Sequence, residues 1–457
     1  MNGSHPTNYL ETLKKKKIAV VGLGRSGFAT ARFLLKNNIS LFISDSRQDI
    51  DRHALEFIER NKIDHEIGEN SDKILDSQLI LISPGVPRDL PVIKKALNDG
   101  IDVINDIELL YRVLPQKKIV AVTGSNGKTT ATALIGEIFN SYCSTWVGGN
   151  IGKPALSIFE DADCRELDFI VLELSNFQLE SLTTFKPFIS ILLNITPDHL
   201  DRYNGFYEYA HTKYRIFRNQ DKNDFLIVNR DDKHLKNIHP ASAVKGYSLT
   251  KSENCYFDGT SIYYNGRKLL RKDELQLKGN HNVQNVMASI IAAKIANIPE
   301  DKIIQAVRAF KGIEHRLEFV GESNGVKYYN DSKATNPDSA AAALRSFNGS
   351  IIWLAGGRDK NTPLDLLKRE VVRKVKYGLF FGEARDKFYD YFSDSVKCSR
   401  TATLKEALRF AGKIASEGDT ILLSPACASF DAYNSYKERG TQFKNIVNEL
   451  LTNHEHV

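Results

Sequence analysis

The sequence lacks several features that would assign the chain to a class at once. Its five cysteines form no C-x-x-C pair, which argues against a disulfide scaffold and against a zinc cluster. No stretch approaches 18 consecutive apolar residues, and the first ten residues are polar, so neither a membrane helix nor a secretion signal is predicted. We therefore expect a soluble, cytoplasmic protein that does not insert into a membrane.

A strong charge of one sign is also missing. The chain has 62 Lys and Arg against 56 Asp and Glu, which leaves a net charge of +6. This excess is too small and too dispersed to indicate a nucleic-acid partner. The single basic run, residues 14–17, directly precedes an apolar strand and is interpreted as a solvated strand entry. Anionic small molecules remain compatible partners.

The chain does contain enough apolar sequence for several cores. It has 457 residues, of which 42% are hydrophobic, so we expect two to four domains, with three fitting best. Short β-branched runs alternate with longer amphipathic segments, which is typical of βαβ units and parallel sheets. The tyrosine-rich residues 254–277 predict a small antiparallel insertion. The predicted strands are residues 18–21, 41–44, 79–83, 119–122, 169–172, 189–193, 326–329, 351–354, 377–381 and 420–423, and the helices discussed below are residues 131–139 and 207–217.

A first glycine-rich loop follows the first predicted strand and opens a helix. It carries Gly22, Gly24 and Gly27, and Asp45 ends the second predicted strand. Glycines there let the backbone approach a phosphate, and the helix N-terminus supplies N–H groups that favour anions. Three interpretations stay open from the residues alone: a nucleotide other than a dinucleotide, a dinucleotide, and a turn without a ligand.

A second loop, T-G-S-N-G-K-T-T at residues 123–130, gives a stronger signal. A triphosphate needs backbone N–H donors, a lysine for the β- and γ-oxygens and a hydroxyl for Mg²⁺; Lys128 and Thr129 provide the last two. The spacing is shorter than in the common P-loop, and a glycine-rich turn with an exposed lysine is the weaker alternative. The residues expected to bind ATP here are Gly124, Ser125, Asn126, Gly127, Lys128, Thr129 and Thr130.

Polar residues follow the next two predicted strands of this region. Glu173 ends one strand and is a candidate ligand for the Mg²⁺ beside the P-loop; a surface glutamate is the alternative. The following strand leads to Asp198, His199, Asp201 and Arg202, at the sheet edge where ligands bind in such folds. Considered alone, His199 is more often a capping or packing histidine.

At this point the chain resembles the Mur ligase family over essentially its whole length. The shortened P-loop is the form that this family uses, and further motifs follow it in the family's order. Two later motifs are similar to those of the branch that adds D-glutamate. The motifs are GGNIG at 148–152, ELS at 173–175, NITPDHLD at 194–201, GNHN at 279–282, NDSKATN at 330–336 and LSPACASFD at 423–431.

The resemblance implies an α/β fold of three domains. These are an N-terminal Rossmann-like UDP-binding domain at residues 1–114, a central P-loop ATPase-type domain at 115–311 and a C-terminal Rossmann-like domain at 312–457 that binds the amino acid. Because a reactive intermediate must be kept from water, we expect domain closure. Its hinges are predicted near residues 114–115 and 311–312.

The resemblance also implies a reaction: ATP-dependent addition of D-glutamate to UDP-N-acetylmuramoyl-L-alanine through an acyl phosphate. This step belongs to cytoplasmic peptidoglycan synthesis, and so to cell-wall biogenesis, cell shape and cell division. The family's catalytic and metal-binding positions correspond to Lys128, Thr129, Glu173, His199 and Lys213, with two Mg²⁺ sites and a carbamate on Lys213. From sequence alone, Lys213 would be an exposed helix lysine. A monomer is the default expectation.

Substrate-binding residues are carried over in the same way. Without the resemblance, the additional ATP-binding positions would equally be an Asn cap, a surface ion pair and a turn Asp. The additional ATP-binding residues are Asn282, Arg316 and Asp331. The residues implied for the UDP substrate are Gly24, Arg25, Ser26, Asp45, Ser46, Arg47, Ser83, Asn150 and His199. Those implied for D-glutamate are Lys333, Thr335, Lys360, Ser429, Phe430 and Tyr436.

Three rivals remain. The nearest is another ligase of the superfamily, with a folate substrate or a different amino acid. A nicotinamide-dependent oxidoreductase would account for the first loop but would leave Lys128, Glu173 and residues 331–336 unexplained. A nucleotide-dependent binding or regulatory protein without catalysis is disfavoured by the presence of the catalytic positions.

Overall fold

The computed structural model describes residues 6–150, 152–197, 203, 205–277, 279–347, 349–359 and 362–454. The chain divides into two compact units, one of residues 1–270 with 286–307 and one of residues 271–285 with 308–457. Two sheets lie in the first unit and a third lies in the second. The alternating strands and helices confirm the α/β expectation. Within the described ranges, no helix has both the length and the apolar character needed to cross a membrane.

The first sheet has five strands in the order β3-β2-β1-β4-β5, and all of its pairs are parallel. The chain leaves β1 in both directions across the sheet, so a crevice forms beyond the carboxyl ends of β1 and β4. The strands are β1 (Ile18–Val21), β2 (Leu41–Asp45), β3 (Asp64–Ile67), β4 (Leu79–Ile82) and β5 (Asp102–Ile104). The helices are α1 (Pro6–Leu13), α2 (Arg25–Lys36), α3 (Arg52–Arg60), α4 (Pro91–Asn98) and α5 (Asp106–Val113).

The second sheet has nine strands in the order β14-β13-β12-β11-β10-β9-β6-β8-β7. Strands β6 to β11 pair in parallel, whereas β12 and β13 are antiparallel, which confirms the predicted insertion. The strands are β6 (Lys118–Thr123), β7 (Thr145–Gly149), β8 (Phe169–Glu173), β9 (Ile189–Leu192), β10 (Phe225–Asn229), β11 (Ala243–Ser248), β12 (Cys255–Phe257), β13 (Ser261–Tyr264) and β14 (Arg267–Arg271). The next helices are α6 (Lys128–Asn140), α7 (Ile158–Asp161), α8 (Asn176–Leu179), α9 (Phe206–Tyr214), α10 (Asn280–Ile295) and α11 (Glu300–Ala309).

The third sheet has six strands in the order β15-β16-β20-β17-β18-β19. Only β15 runs antiparallel to its neighbour. The buried Trp353 packs against Phe380, Phe388 and Phe392 and donates its indole N–H to the carbonyl of Ser424 at 2.8 Å. The strands are β15 (Glu318–Ser323), β16 (Val326–Asn330), β17 (Ile351–Gly356), β18 (Val375–Phe381), β19 (Cys398–Arg400) and β20 (Thr420–Leu423). The helices are α12 (Pro337–Arg345), α13 (Asp365–Lys374), α14 (Arg385–Phe392), α15 (Leu404–Ile414) and α16 (Tyr436–His454).

The structure confirms every predicted strand, and it adds others that the sequence did not indicate. Among the added strands, β3, β7, β15 and β19 lie at sheet edges. An edge strand is less covered by the rest of the fold, so it need not carry the continuous apolar run that marks a central parallel strand. Helix α6 begins at Lys128, three residues before its predicted start, and the predicted helix 207–217 ends in a 3₁₀ turn at Arg215–Phe217.

One buried carboxylate joins the last helix of the first sheet to a loop of the second. Glu108 on α5 is fully buried. It accepts hydrogen bonds from the backbone N–H groups of Thr183, Thr184 and Phe185 at 3.0, 2.8 and 3.1 Å. Arg112 Nε donates to it at 3.0 Å. Burial alone would raise the pKa of Glu108, but the hydrogen bonds from Thr184 and Thr183 hold it below its usual value, so the group is ionised at neutral pH.

We expect Glu108→Gln to destabilise the first unit by about 2–4 kcal/mol at pH 7, because an amide NH₂ would then face N–H donors. The pKa of Glu108 is lower in the folded state than in the unfolded state. Its contribution to the free energy of unfolding is therefore fully present above the ordinary glutamate pKa and is lost as the pH falls through the folded-state pKa. Urea unfolding at pH 7 and pH 4 measures both effects. The exposed Glu59→Gln is the matched control, and equal unfolding midpoints for the two variants at pH 7 would contradict the expectation.

Candidate functional site

The loop between β6 and α6 has the backbone of a phosphate-binding loop. Gly124 and Gly127 have φ angles of 153° and 87°, in the region that favours glycine. A Cβ at Gly124 would lie 3.1 Å from the Cβ of Leu193. The Lys128 ammonium lies over the loop and donates to the carbonyls of Gly124 and Ser125 at 2.8 and 2.9 Å. A cation and a helix N-terminus therefore face the same small space, which suits a phosphate.

The segment after β9 holds this loop in place. Asn126 N–H donates to Asn194 Oδ1 at 2.8 Å, and Asn194 Nδ2 donates back to Asn126 O at 3.0 Å. The Ser125 hydroxyl donates to the carbonyl of Thr196 at 2.8 Å and accepts from its N–H at 2.9 Å. Asn194 is thus a supporting residue to which the sequence assigned no role. Two signals pointed to it: its place after a predicted strand and its position as the first residue of the motif at 194–201.

Glu173 reaches the same edge because β8 lies beside β6. The parallel register pairs Val122 with Glu173. The Glu173 side chain is 2% exposed, so the surface-glutamate alternative is wrong. Its Oε1 accepts from Asn150 Nδ2 at 2.7 Å, whereas Oε2 is buried with no hydrogen-bond partner. A buried carboxylate oxygen without a donor suits a metal ligand, and Thr129, also buried, lies in the first turn of α6.

Lys213 on α9 is 2% exposed, so the expectation of an exposed helix lysine is wrong. Its Nζ donates to Asn176 Oδ1 at 2.6 Å and lies 4.6 Å from the centroid of the Tyr209 ring. The Tyr209 hydroxyl is in turn 2.8 Å from Ser125 Oγ. A short chain of contacts therefore connects Lys213 to the phosphate loop.

The remaining predicted metal ligand, His199, lies outside the described residues, as do Asp198, Asp201 and Arg202. Within the described ranges, no group of three or more His, Cys, Asp or Glu side chains could hold a metal ion by itself. From the described residues, a cation at Glu173 would therefore take ligands of other kinds, such as a hydroxyl, together with water or phosphate oxygens.

A cavity of about 580 Å³ opens beyond the carboxyl ends of the first sheet's strands, which is large enough for a nucleotide-sized ligand. Gly149 and Asn150, from the second sheet, close one side of it. The structure brings together the residues predicted for the UDP substrate, apart from the undescribed His199: Gly24, Arg25, Ser26, Asp45, Ser46, Arg47, Ser83 and Asn150.

The glycine loop of this cavity packs its helix tightly against β1. A Cβ at Gly27 would lie 1.9 Å from the carbonyl oxygen of Gly22, so only glycine fits there. At the next strand end, Asp45 accepts from Leu23 N–H at 2.6 Å and from Arg47 Nη2 at 2.7 Å. Burial would raise the pKa of Asp45, but the hydrogen bonds from Arg47 and Leu23 lower it. The carboxylate is therefore charged and orders the rim of the cavity.

The other predicted ATP-binding residues belong to the second unit. Asp331 follows β16, is buried, and accepts from Leu317 N–H at 3.2 Å and from Ser424 Oγ at 2.8 Å. Burial raises the pKa of Asp331 to about 7. Arg316 stands between two residues with positive φ, His315 at 66° and Leu317 at 44°. Such strain is often found at functional sites. Asn282 is buried near the start of α10.

The residues predicted for the amino acid follow the strands of the third sheet. Lys333 comes after β16, and its Nζ lies 5.6 Å from the centroid of the Tyr436 ring at the start of α16. Thr335 is in the same loop as Lys333. Ser429 is buried and Phe430 is 62% exposed in the loop after β20. The sixth residue, Lys360, lies outside the described residues.

Arg439 on α16 is a further residue of this edge, and no sequence pattern indicated its role. It is fully buried. Its guanidinium donates to Ser332 Oγ at 3.0 Å and to the carbonyls of Ser332, Gly356, Cys427 and Ala428 at 2.9, 3.4, 3.1 and 3.2 Å. Burial lowers its pKa to about 10. One side chain thus ties the last residue of β17 to the segments that follow β16 and β20.

Comparison with known protein families gives three matches along the chain. The model described as Mur ligase MurD-like, N-terminal domain, matches residues 16–105. The Mur ligase middle domain matches residues 122–293. The Mur ligase, glutamate ligase domain, matches residues 315–427. The matched ranges fall on the first, second and third sheets in turn.

Comparison with individual proteins also gives matches to ligases of this family. The UDP-N-acetylmuramoylalanine--D-glutamate ligases of Caldicellulosiruptor bescii and Koribacter versatilis are each 40% identical to this chain, over 96% of it and over 99% and 98% of their own lengths. Among solved structures, the MurF ligase from Thermotoga maritima in complex with ADP matches with a TM-score of 0.62 at 15% identity, over 97% of both chains. At that identity the structural match concerns the fold alone.

We expect Arg439→Met to lower the free energy of unfolding of the second unit by about 2–4 kcal/mol, because several buried carbonyls lose their donor. Chemical denaturation followed by circular dichroism measures this. The matched control is Arg409→Met, since Arg409 is exposed on α15. Equal stabilities of the two variants would show that the buried guanidinium is not needed to hold the strand ends together.

Proposed function

Because this chain belongs to the Mur ligase family, we propose that it is the ATP-dependent ligase that joins D-glutamate to UDP-N-acetylmuramoyl-L-alanine. The reaction would serve cytoplasmic peptidoglycan precursor synthesis. The observation that carries the proposal is the position of Asn150, which lines the nucleotide cavity and also donates to Glu173 at 2.7 Å. A UDP-linked substrate in that cavity has its acyl end beside the phosphate loop.

The first chemical step is attack by the terminal carboxylate of the UDP substrate on the γ-phosphate of ATP, which forms an acyl phosphate and releases ADP. A carboxylate is otherwise a poor electrophile. The transfer asks the protein mainly for position and for charge neutralisation. Lys128 is suited to the β- and γ-oxygens, and the N–H groups from Gly124 to Thr130 are suited to the other phosphate oxygens.

The residues present fit a divalent cation at Glu173. Its unpaired, buried Oε2 and the nearby hydroxyl of Thr129 are oxygen ligands of the kind that Mg²⁺ takes. Bound Mg²⁺ neutralises the charge that develops on the phosphate oxygens. We assign one Mg²⁺ to Thr129 and Glu173, and a second to His199 with Lys213.

By the family resemblance, Lys213 would face both cations, from between their two sites, after modification. Its amine would add to CO₂ with loss of a proton and become a carbamate, which changes a cation into an oxygen ligand. The buried position of Lys213, which is 2% exposed, supports this step because a carbamate there would be an oxygen ligand inside the site and not on the surface. Asn176, whose Oδ1 lies 2.6 Å from Nζ, would then be able to turn its NH₂ towards the carbamate.

The second step is displacement of phosphate from the acyl phosphate by the amine of D-glutamate. We assign the amino acid to Lys333, Thr335, Lys360, Ser429, Phe430 and Tyr436, since lysine and hydroxyl donors suit two carboxylates. Asn282, Arg316 and Asp331 complete the ATP site. The proposal also includes three domains, at residues 1–114, 115–311 and 312–457. It includes closure of these domains about residues 114–115 and 311–312, and a monomeric state.

The test is phosphate release from ATP and Mg²⁺ in the presence of UDP-N-acetylmuramoyl-L-alanine, with D-glutamate compared with L-glutamate, L-lysine, D-alanine and no amino acid. We expect release that depends on D-glutamate, together with a product of the matching mass. Release with another amino acid would leave the ligase mechanism intact but would refute the assigned substrate. No release with any of them would refute the proposed function.

We expect Glu173→Gln to lower kcat at least 100-fold, because the neutral amide keeps the volume but loses the charge that holds the cation. Binding of UDP should stay within about twofold, since Glu173 does not line the nucleotide cavity. Steady-state kinetics and calorimetry measure the two effects. The control is Glu166→Gln, at an exposed position; a kcat equal to that of the control would exclude the assigned role of Glu173.

A further inference from the structure

A buried carboxyl group lies next to a residue that lines the nucleotide cavity, and no step of the reaction uses it. Asp106 is the first residue of α5 and is 3% exposed. Within the described ranges, neither of its oxygens has a hydrogen-bond partner. Buried polar groups are nearly always hydrogen-bonded, because an unpaired one is costly. The position of Asp106 therefore needs a physical explanation.

The elements around Asp106 place it behind the lining of the cavity. Helix α5 packs against α2 and against the 3₁₀ turn Ala155–Ser157. Ser26 on α2 and Pro154, just before the turn, line the cavity. The Ser26 hydroxyl is close enough to Asp106 to affect its pKa, although it does not complete a hydrogen bond. The Ser26 side chain is therefore shared between the cavity and the buried carboxyl group.

Among the described residues, no cation is paired with Asp106. The 3₁₀ turn carries no ionisable side chain, and those on α1, α2, α5 and the segment before the turn have other partners. These pairs are Tyr9 with Arg112, Glu11 with Lys14, Arg25 with the carbonyl of Gly152, Arg32 with Glu160, Lys36 with the carbonyl of Phe159, Glu108 with Arg112, and Lys153 with Asp161. Burial raises the pKa of Asp106 to about 6, and the Ser26 hydroxyl and neighbouring backbone N–H groups offset only part of this rise.

A bound diphosphate is incompatible with an ionised Asp106 in two ways. In the proposed reaction, on which this inference depends, the diphosphate binds at the N-terminus of α2. Its negative charge would then lie near a buried carboxylate, where a low dielectric strengthens the repulsion. The Ser26 hydroxyl also has a single proton. An ionised Asp106 would attract that proton and leave the lone pairs of Ser26 turned towards the phosphate.

We propose that Asp106 is a positioning residue for the diphosphate and takes up one proton from solvent when the UDP-linked substrate binds. An O–H bond forms on the carboxyl group, which donates to Ser26 Oγ. The Ser26 hydroxyl then donates to a phosphate oxygen. Because the bound state holds one more proton than the free protein, the affinity is highest below pH 6 and falls as the pH rises, by up to about tenfold per pH unit.

The test measures proton uptake when UDP-N-acetylmuramoyl-L-alanine binds to the full chain in the absence of ATP and D-glutamate. Isothermal titration calorimetry at pH 7.5, in buffers with different heats of ionisation, gives the number of protons taken up. Both phosphates of this ligand are esterified, so its diphosphate does not titrate near neutral pH. We expect the native protein to take up roughly half to one proton more than Asp106→Asn. From pH 6 to pH 7.5 the native affinity should fall at least about fivefold.

Asp106→Asn separates the proton from the packing, because its amide NH₂ can donate to Ser26 at every pH. Its affinity should lie within about threefold of the native value at pH 6 and should exceed it at pH 7.5. Asp106→Ala removes the donor and should bind more weakly than Asp106→Asn at both pH values. Asp99→Asn is the matched control, since Asp99 is exposed and does not line the cavity, and it should behave like the native protein.

Equal proton uptake by the native protein and Asp106→Asn overturns this role of Asp106 and leaves the ligase assignment intact. Melting temperatures identify a variant that fails to fold. In that case, difference infrared spectra of the native protein, labelled with carboxyl-¹³C aspartate, decide the matter: a protonated carboxyl band should appear on binding at pH 7.5, and its absence overturns the role. Absence of both substrate binding and ligase activity in the native protein overturns the proposed function as well.

Discussion

The site depends first on the parallel pairing of β6 with β8 and β9. Because parallel strands end at a common edge, the phosphate loop, Glu173 and the Asn194 segment are brought together by register alone. A slip of one residue would turn the Glu173 side chain to the opposite face of the sheet. The buried and mostly apolar interiors of these strands oppose such a slip. The side chains that fill the core therefore also hold the functional residues in position.

Much of this arrangement could be predicted from the sequence, and most of the exceptions share a cause. Most central strands and the glycine loops depend on local pattern, so they were found at or near their observed limits; β10 and β11, which also lie inside their sheet, were missed. The edge strands, the burial of Lys213 and the anchoring role of Arg439 depend on partners far away in the chain. Lys213 bonds to Asn176, and Arg439 to segments that begin at Ser332. An isolated charged residue on a helix looks the same in sequence whether it is exposed or enclosed.

Two buried charged side chains, Glu108 and Arg439, are stabilised mainly by hydrogen bonds to backbone dipoles. The Glu108 carboxylate accepts from a run of consecutive backbone N–H groups, and the Arg439 guanidinium donates to backbone carbonyls from separate loops. Backbone groups are fixed by the fold, so a side chain bonded to them fixes the loops in return. Each residue acts on the geometry of its own unit, and neither is assigned a place in the bond-making steps.

The contacts of Glu108 have a consequence for which substrates can react. They fasten the helix that follows the nucleotide cavity's sheet to the sheet that carries Glu173. In the proposed reaction, these contacts would limit how far the distance from the diphosphate at α2 to the site of phosphoryl transfer can change. For the substrate that we propose, only a sugar-linked chain of matching length would deliver its carboxylate to the phosphorus. A chain one amino acid shorter or longer would bind by its nucleotide and yet miss the point of attack.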